Sequence, residues 1–212
     1  MRVAQSRAER QAETRTRLVD AAERLFIESG FDATSLESVA AAAGYTKGAV
    51  YSNFASKEDL FFAVYERRVD RFLARVERML AETADAGEVV TRMASEALAR
   101  SGREDGWLAV FFEFWTHVLR HPEHRARFAA AHARATAPLA TTLERFAEEQ
   151  DVELPLEAGP LSVAMFAMVS GLSLERLTQP DAVDADLSLR ISDIWLQALA
   201  QGRLSAARAR GG

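Results

Sequence analysis

The stretch Thr34–Lys57, TSLESVAAAAGYTKGAVYSNFASK, decides the reading of this 212-residue chain. Its spacing predicts two short helices separated by a tight turn at Gly44, with a longer helix starting behind them. Thr34 suits the N-cap of the first, and Glu37 three residues on completes a capping box. Leu36, Val39, Ala40 and Ala43 recur on one face, which packs on the preceding helix. Thr46 caps the next helix, and Val50 and Phe54 point inward at i and i+4. Ser56 caps the helix after that, with Glu58 and Asp59 in its first turn, where acidic groups suit the positive helix end. This arrangement predicts a helix-turn-helix, whose second helix enters the DNA major groove with its N-terminal residues first. The chain has only two lysines, Lys47 and Lys57, and both lie in this stretch.

If Val50 and Phe54 face the core, the other side of that helix is left for DNA. Lys47 can donate to a guanine edge or a phosphate, and the small Gly48 and Ala49 allow close approach to the bases. Thr46, Tyr51, Ser52 and Asn53 supply further polar groups. Lys57 is expected at a phosphate, in a first turn where free backbone N–H groups favour an anion. Ser35, at the start of the helix-turn-helix, is a further phosphate contact.

Working outward, nearly everything reads as helix. The first helix is expected over 10–29, with Leu18, Ala22, Leu25 and Phe26 buried and Gly30 as a left-handed C-cap. A long helix runs over 56–82. Further helices follow at 86–101, 106–120, 122–150, 157–178 and 184–204. Pro122 fits a first turn. Pro138 is expected to kink or interrupt its helix. VELPLEAGP reads as a linker. The expected division is a DNA-binding domain over 10–57, an effector and dimerisation domain over 58–205, and a disordered tail over 206–212.

The net charge is −5, an unpromising value for a DNA binder, but it is unevenly spread. Residues 1–57 carry eight basic and seven acidic groups, whereas the remainder carries eighteen and twenty-four. Five arginines (Arg2, Arg7, Arg10, Arg15 and Arg17) fall in the first seventeen residues, beside the helix-turn-helix. A local basic footprint on an acidic body is compatible with DNA binding. With no cysteine there is no disulfide or thiolate metal site. The N-terminus lacks a signal-peptide core, and no apolar run approaches the roughly 20 residues of a membrane span. A soluble cytoplasmic protein is expected. There is no nucleophile elbow, phosphate loop or HExxH, so an enzyme is not.

The C-terminal body suggests a dimer and a pocket. The helix over 163–177 is apolar nearly all round, as a helix buried on two sides is. Val163, Val169 and Gly171, with Leu187, Ile191, Ile194 and Trp195 on the last helix, are expected at a homodimer interface. The segment WLAVFFEFWTHVLR places Trp107, Phe111, Phe114 and Trp115 on one stripe. With Met165, Phe166 and Met168 they read either as core or as the wall of an effector pocket, since methionine adapts to varied ligand shapes. Glu113, Thr116, His117 and Ser170 could orient a ligand. All four histidines (His117, His121, His124 and His132) lie in one segment. They read as a surface cluster; no metal and no cofactor is expected.

Residues 10–70 resemble the DNA-binding domain of the TetR family of bacterial transcriptional regulators. The resemblance rests on Phe31 through Thr34, Val39-Ala40, Gly44, Lys47-Gly48, Val50-Tyr51, Phe54 and Ser56 through Leu60. Asn53 departs from it, since many members carry histidine there. GLSLERLTQPD at 171–181 resembles the segment before the last helix of many members. The resemblance implies an all-α fold of about nine helices, with an N-terminal three-helix bundle and a C-terminal antiparallel helical domain. It implies a homodimer that binds a palindromic DNA operator, represses transcription and is released by a small apolar or aromatic effector. The alternative is a DNA-binding regulator without such an effector, controlled by a protein partner.

Overall fold

The computed structural model describes residues 6–103, 106–181, 183 and 187–201. The tail over 206–212, Arg2 and the expected ends of the last helix at 184 and 204 lie outside them. The described residues form nine α-helices and no strand. These are α1 (Arg7–Ala33), α2 (Leu36–Ala43), α3 (Lys47–Tyr51), α4 (Lys57–Glu82), α5 (Ala86–Arg103), α6 (Trp107–Arg120), α7 (Arg125–Gln150), α8 (Ala158–Thr178) and α9 (Leu187–Ala200). A 3-10 turn, Pro122–His124, precedes α7.

Several boundaries follow from caps the sequence reading assigned differently. α1 starts at Arg7 because Ser6 and Glu9 form a reciprocal capping box. At α2 the N-cap is Ser35 rather than Thr34. The Ser35 hydroxyl accepts from the Ser38 N–H at 3.0 Å, and the Ser38 hydroxyl accepts from the Ser35 N–H at 3.1 Å. Thr34 is buried and its hydroxyl donates back to the Gly30 carbonyl at 2.8 Å, which leaves Glu37 free of the cap. Gly44 takes the left-handed conformation expected of the turn. Thr46 caps α3, and the Ser56 hydroxyl accepts from the Asp59 N–H at 3.1 Å. Pro138 sits inside α7 without interrupting it.

The chain divides into two compact units. One unit is Met1–Arg68 with Ala109–Phe128; the other is Val69–Leu108 with Ala129–Gly212. Most of α6 therefore belongs with the helix-turn-helix, although it lies far along the chain.

The first unit has an aromatic core. Phe26, Phe31, Phe61, Phe62 and Phe114 are all fully buried. Phe61 stacks on Phe114 at 3.8 Å between ring centroids, and Phe31 meets Phe114 edge-on at 5.0 Å. Offset and edge-on contacts of this kind add to area burial. Val39, Val50 and Phe54 close the core beneath the helix-turn-helix.

The second unit has a largely aliphatic core, built on Ala86, Val90, Leu143, Phe146, Leu161, Met165, Leu196 and Leu199, with α5 packed on α8 and α9. Trp195 packs against the same cluster. Both helices also carry exposed apolar side chains. Val163, Leu174 and Leu177 on α8 and Ile194 on α9 are exposed, Ile194 at 62%. Among the described residues α8 is also the one helix long and apolar enough to cross a membrane, which corrects the sequence reading on that count.

Candidate nucleic-acid interface

α3 presents the surface that its pattern predicts. Val50 is fully buried while Thr46, Lys47, Gly48, Tyr51 and Ser52 are exposed. Ala49 and Asn53 are half-buried. Lys47 does not stand alone. Its Nζ lies 2.5 Å from Glu37 Oε1, and the Tyr51 hydroxyl donates to the same carboxylate oxygen at 3.2 Å. The Lys47 bond holds the Glu37 carboxyl below its usual range, and Glu37 in turn raises the Lys47 ammonium. Both side chains are well exposed, so the pair holds little free energy and a phosphate can replace Glu37 at low cost. Ser35 is exposed at the start of α2.

Asn53 has a local duty as well. Its side-chain amide donates to the Ala49 carbonyl at 2.8 Å, closing the end of α3. Its own carbonyl accepts from the Arg15 guanidinium at 3.0 Å, and that guanidinium lies 4.3 Å from the centre of the Phe54 ring. Arg15 thus fixes the exit of α3 onto α1.

Lys57 has partners within the protein. Its ammonium donates to the carbonyls of Phe31 (3.0 Å) and Asp32 (3.2 Å) and lies 4.4 Å from the Phe31 ring centre. The reason is a corner at Gly30, which has φ 84° and ψ 168° instead of the left-handed helical cap expected. The corner exposes backbone groups that need partners. Lys57 satisfies the carbonyls, and the Glu113 carboxylate accepts the N–H groups of Phe31 and Asp32, each at 2.8 Å. The corner needs glycine for its positive φ, and a Cβ at position 30 would also stand 2.9 Å from Glu113 Oε2, which would have to shift. Glu113 thus serves as a structural acceptor at this corner. Thr116 likewise donates to its own helix, at the Phe112 carbonyl.

Beside this corner lies a cluster that the sequence reading underrated. Glu58, His117 and His124 each offer a ligand atom, all within 4.8 Å of one another. His117 stacks on His121 at 3.9 Å, and His121 Nδ1 meets the His117 carbonyl at 2.8 Å. The cluster is half-buried rather than a solvated surface. Burial pushes the His117 imidazole down, with help from His121 and His124. Burial works to raise the Glu58 carboxyl, but backbone and Ser56 bonds and the nearby imidazoles hold it below its usual value. His121 and His117 were legible as an i, i+4 pair; the approach of Glu58 from α4 was not.

The pocket residues separate. Phe114 is fully buried among Phe31, Phe61, Phe62 and His117. Phe111 is buried against Tyr65 and Phe128. Both are packed in the core of the first unit. Trp115 stacks on Phe112 at 6.0 Å in the same unit. Met165 is core of the second unit. Trp107, Phe166 and Met168 are half-buried, with Phe166 edge-on to His132 at 4.7 Å. Of the dimer residues, Val163, Gly171 and Ile194 are exposed, whereas Val169, Leu187, Ile191 and Trp195 are half-buried. An open cavity of about 630 Å³ lies instead along α1 and α2, lined by Arg17, Asp20, Glu23, Arg24, Ile27, Ala42 and Ala43.

Comparison with known proteins decides the family. Residues 18–64 match the bacterial regulatory proteins of the tetR family, and residues 86–201 match the C-terminal domain of BetI-type transcriptional repressors. The chain belongs to the TetR family. The HTH-type transcriptional regulator TtgR of Pseudomonas putida is 31% identical over 182 residues, covering 81% of this chain and 84% of that protein. A transcriptional regulator of Saccharomonospora viridis in complex with choline shares the fold with a TM-score of 0.73 at 23% identity, over 88% of this chain and 96% of that one. FadR of Bacillus subtilis in complex with stearoyl-CoA superposes with a TM-score of 0.66 at 17% identity, over 88% and 98%. This TetR-family chain is therefore a DNA-binding transcriptional regulator, and its relatives are regulators, not enzymes.

Proposed function

We propose that this TetR-family chain is a cytoplasmic homodimeric repressor that holds a palindromic operator and releases it on binding a small apolar or aromatic effector. The observation that carries the reading is the exposed start of α3, where Lys47, Gly48 and Tyr51 stand clear of the core over a buried Val50. A five-residue helix reaches few base pairs. Two copies related by two-fold symmetry would read half-sites about one helical turn apart. Exposed apolar side chains on α8 and α9, Val163, Leu174, Leu177 and Ile194, support the dimer, since a second copy could cover them self-complementarily.

For the effector, Phe166, Met168 and Trp107 remain as wall residues once the core aromatics are set aside. Methyl groups around a cation, as in choline, and an acyl chain, as in stearoyl-CoA, are the apolar parts of ligands held by the two solved relatives. An apolar effector against Phe166 is in keeping with both. α4 contributes residues to both units, and the reading takes it as a route for coupling. Operator binding must then weaken effector binding by the same factor that the effector weakens operator binding. Sedimentation of the wild type and Ile194→Glu tests the assembly. The reading expects a dimer that the charge converts to a folded monomer with operator affinity lower by at least about tenfold. A wild-type monomer with full operator affinity would contradict it.

A further inference from the structure

We propose that Glu58, His117 and His124 form a binding site for a divalent transition-metal ion of the zinc class. The donor set is two imidazoles and one carboxylate, the ligand types zinc accepts. The geometry is close to what an ion needs. Ligand atoms on a tetrahedral zinc sit about 3.3–3.5 Å apart, given bond lengths of about 2.0–2.2 Å. His117 Nε2 and Glu58 Oε1 are already 3.5 Å apart, and all three ligand atoms fall within 4.8 Å. Small side-chain rotations bring His124 into the set.

Two further observations favour a ligand over a bare stack of rings. His117 Nε2 is buried and has no hydrogen-bond partner. A buried polar atom left without a partner needs an explanation, and an unfilled ligand position supplies one. The ring is also held in place from behind: it stacks on Phe114 at 5.7 Å and meets Phe31 edge-on at 5.1 Å. Held ligands of this kind make a site preorganised. His121 lies outside the set. Its Nδ1 faces the His117 carbonyl, which can only accept, so that nitrogen carries the proton and ties the turn to α6.

The elements joined give the ion a structural consequence. Glu58 is in the first turn of α4, next to Lys57 at the Gly30 corner. His117 is on α6 and His124 in the 3-10 turn. A bound ion would cross-link all three within the unit that carries the helix-turn-helix.

The test uses the full-length chain, stripped with a chelator and titrated with zinc alone. A single saturable equivalent is expected, and zinc should raise the thermal midpoint. Glu58→Gln and His124→Gln should each weaken zinc binding at least about tenfold. His132→Gln, in the other unit, should leave it unchanged. Both ligand variants avoid the packed His117 ring, and metal-free melts will show that they fold. Cobalt(II) should give the visible absorption of a low-coordinate site in the wild type and lose it in both variants. No saturable uptake, or uptake that survives Glu58→Gln and His124→Gln unchanged, would overturn the proposal.

Discussion

The two units are built from different materials, and the difference separates what each does alone from what it does with others. The first closes on itself. Its aromatic rings stack on one another, its corner at Gly30 has partners for both carbonyls and N–H groups, and its helix ends are capped by Ser6, Ser35, Thr46 and Ser56. Its exposed α3 carries polar groups, Thr46, Lys47 and Ser52 among them. The second unit packs aliphatic side chains of α8 and α9 in its core and leaves other apolar ones on them exposed. A closed core with a polar reading edge fits a part that meets DNA. Exposed apolar side chains fit a part that needs a second chain.

The sharpest way to break the contrast is to remove a ring from each side. Phe114→Ala should destabilise the protein by about 3–5 kcal/mol, the cost of a fully buried phenylalanine. Phe166→Ala should cost about 1–2 kcal/mol and alter the response to effector instead. Urea midpoints of the two variants check this. Equal and small losses would return Phe114 to a pocket wall.

Next comes the corner. Gly30→Ala should cost about 1–3 kcal/mol, from a positive φ and a Cβ pressed on Glu113. A neutral outcome in thermal unfolding would mean that the corner relaxes freely.

The two lysines divide within the first unit. Lys57→Ala should lower stability by about 1 kcal/mol, since it frees two carbonyls, and leave the salt dependence of DNA binding unchanged. Lys47→Ala should leave stability within about 0.5 kcal/mol but reduce the slope of log affinity against log salt by about 1. Binding isotherms over a salt series read both. A reduced slope for Lys57→Ala would restore it to the phosphate contacts.

The smallest expected effect is on pH. Burial pushes the imidazoles of His117 and His132 down in the folded state. The unfolded chain therefore takes up these protons first as pH falls. Their contribution is fully present above about pH 6.5 and is lost as pH falls through the lowered values. Wild-type stability should decline as pH falls below about 6.5, and His132→Gln should decline less. Parallel denaturation curves for the two would remove His132 from the account.

What was legible in the sequence follows the same division. Val50 and Phe54 inward, Thr46 and Ser56 at caps and Gly44 in the turn depend on residues within a few positions of each other, and the structure has them so. The contacts of Lys57 within the protein were not legible, because its partners, the carbonyls of Phe31 and Asp32, lie elsewhere in the chain. The bonds of Glu113 to the N–H groups of Phe31 and Asp32 were hidden for the same reason, and Phe114 stayed open between core and pocket because an aromatic stripe looks alike whether it lines a core or a cavity. The shift of the α2 cap from Thr34 to Ser35 turned on burial, since the Thr34 hydroxyl is drawn back to Gly30. Contacts formed by long-range folding leave no periodic trace.

Selection of bound DNA from a random pool, with the full-length protein at fixed salt, tests the central claim most directly. The account predicts enrichment of a palindrome whose half-sites lie about one helical turn apart, lost when Lys47 is replaced. Enrichment of a lone half-site, or of no sequence above salt-sensitive background, would contradict a two-fold pair of α3 helices reading DNA.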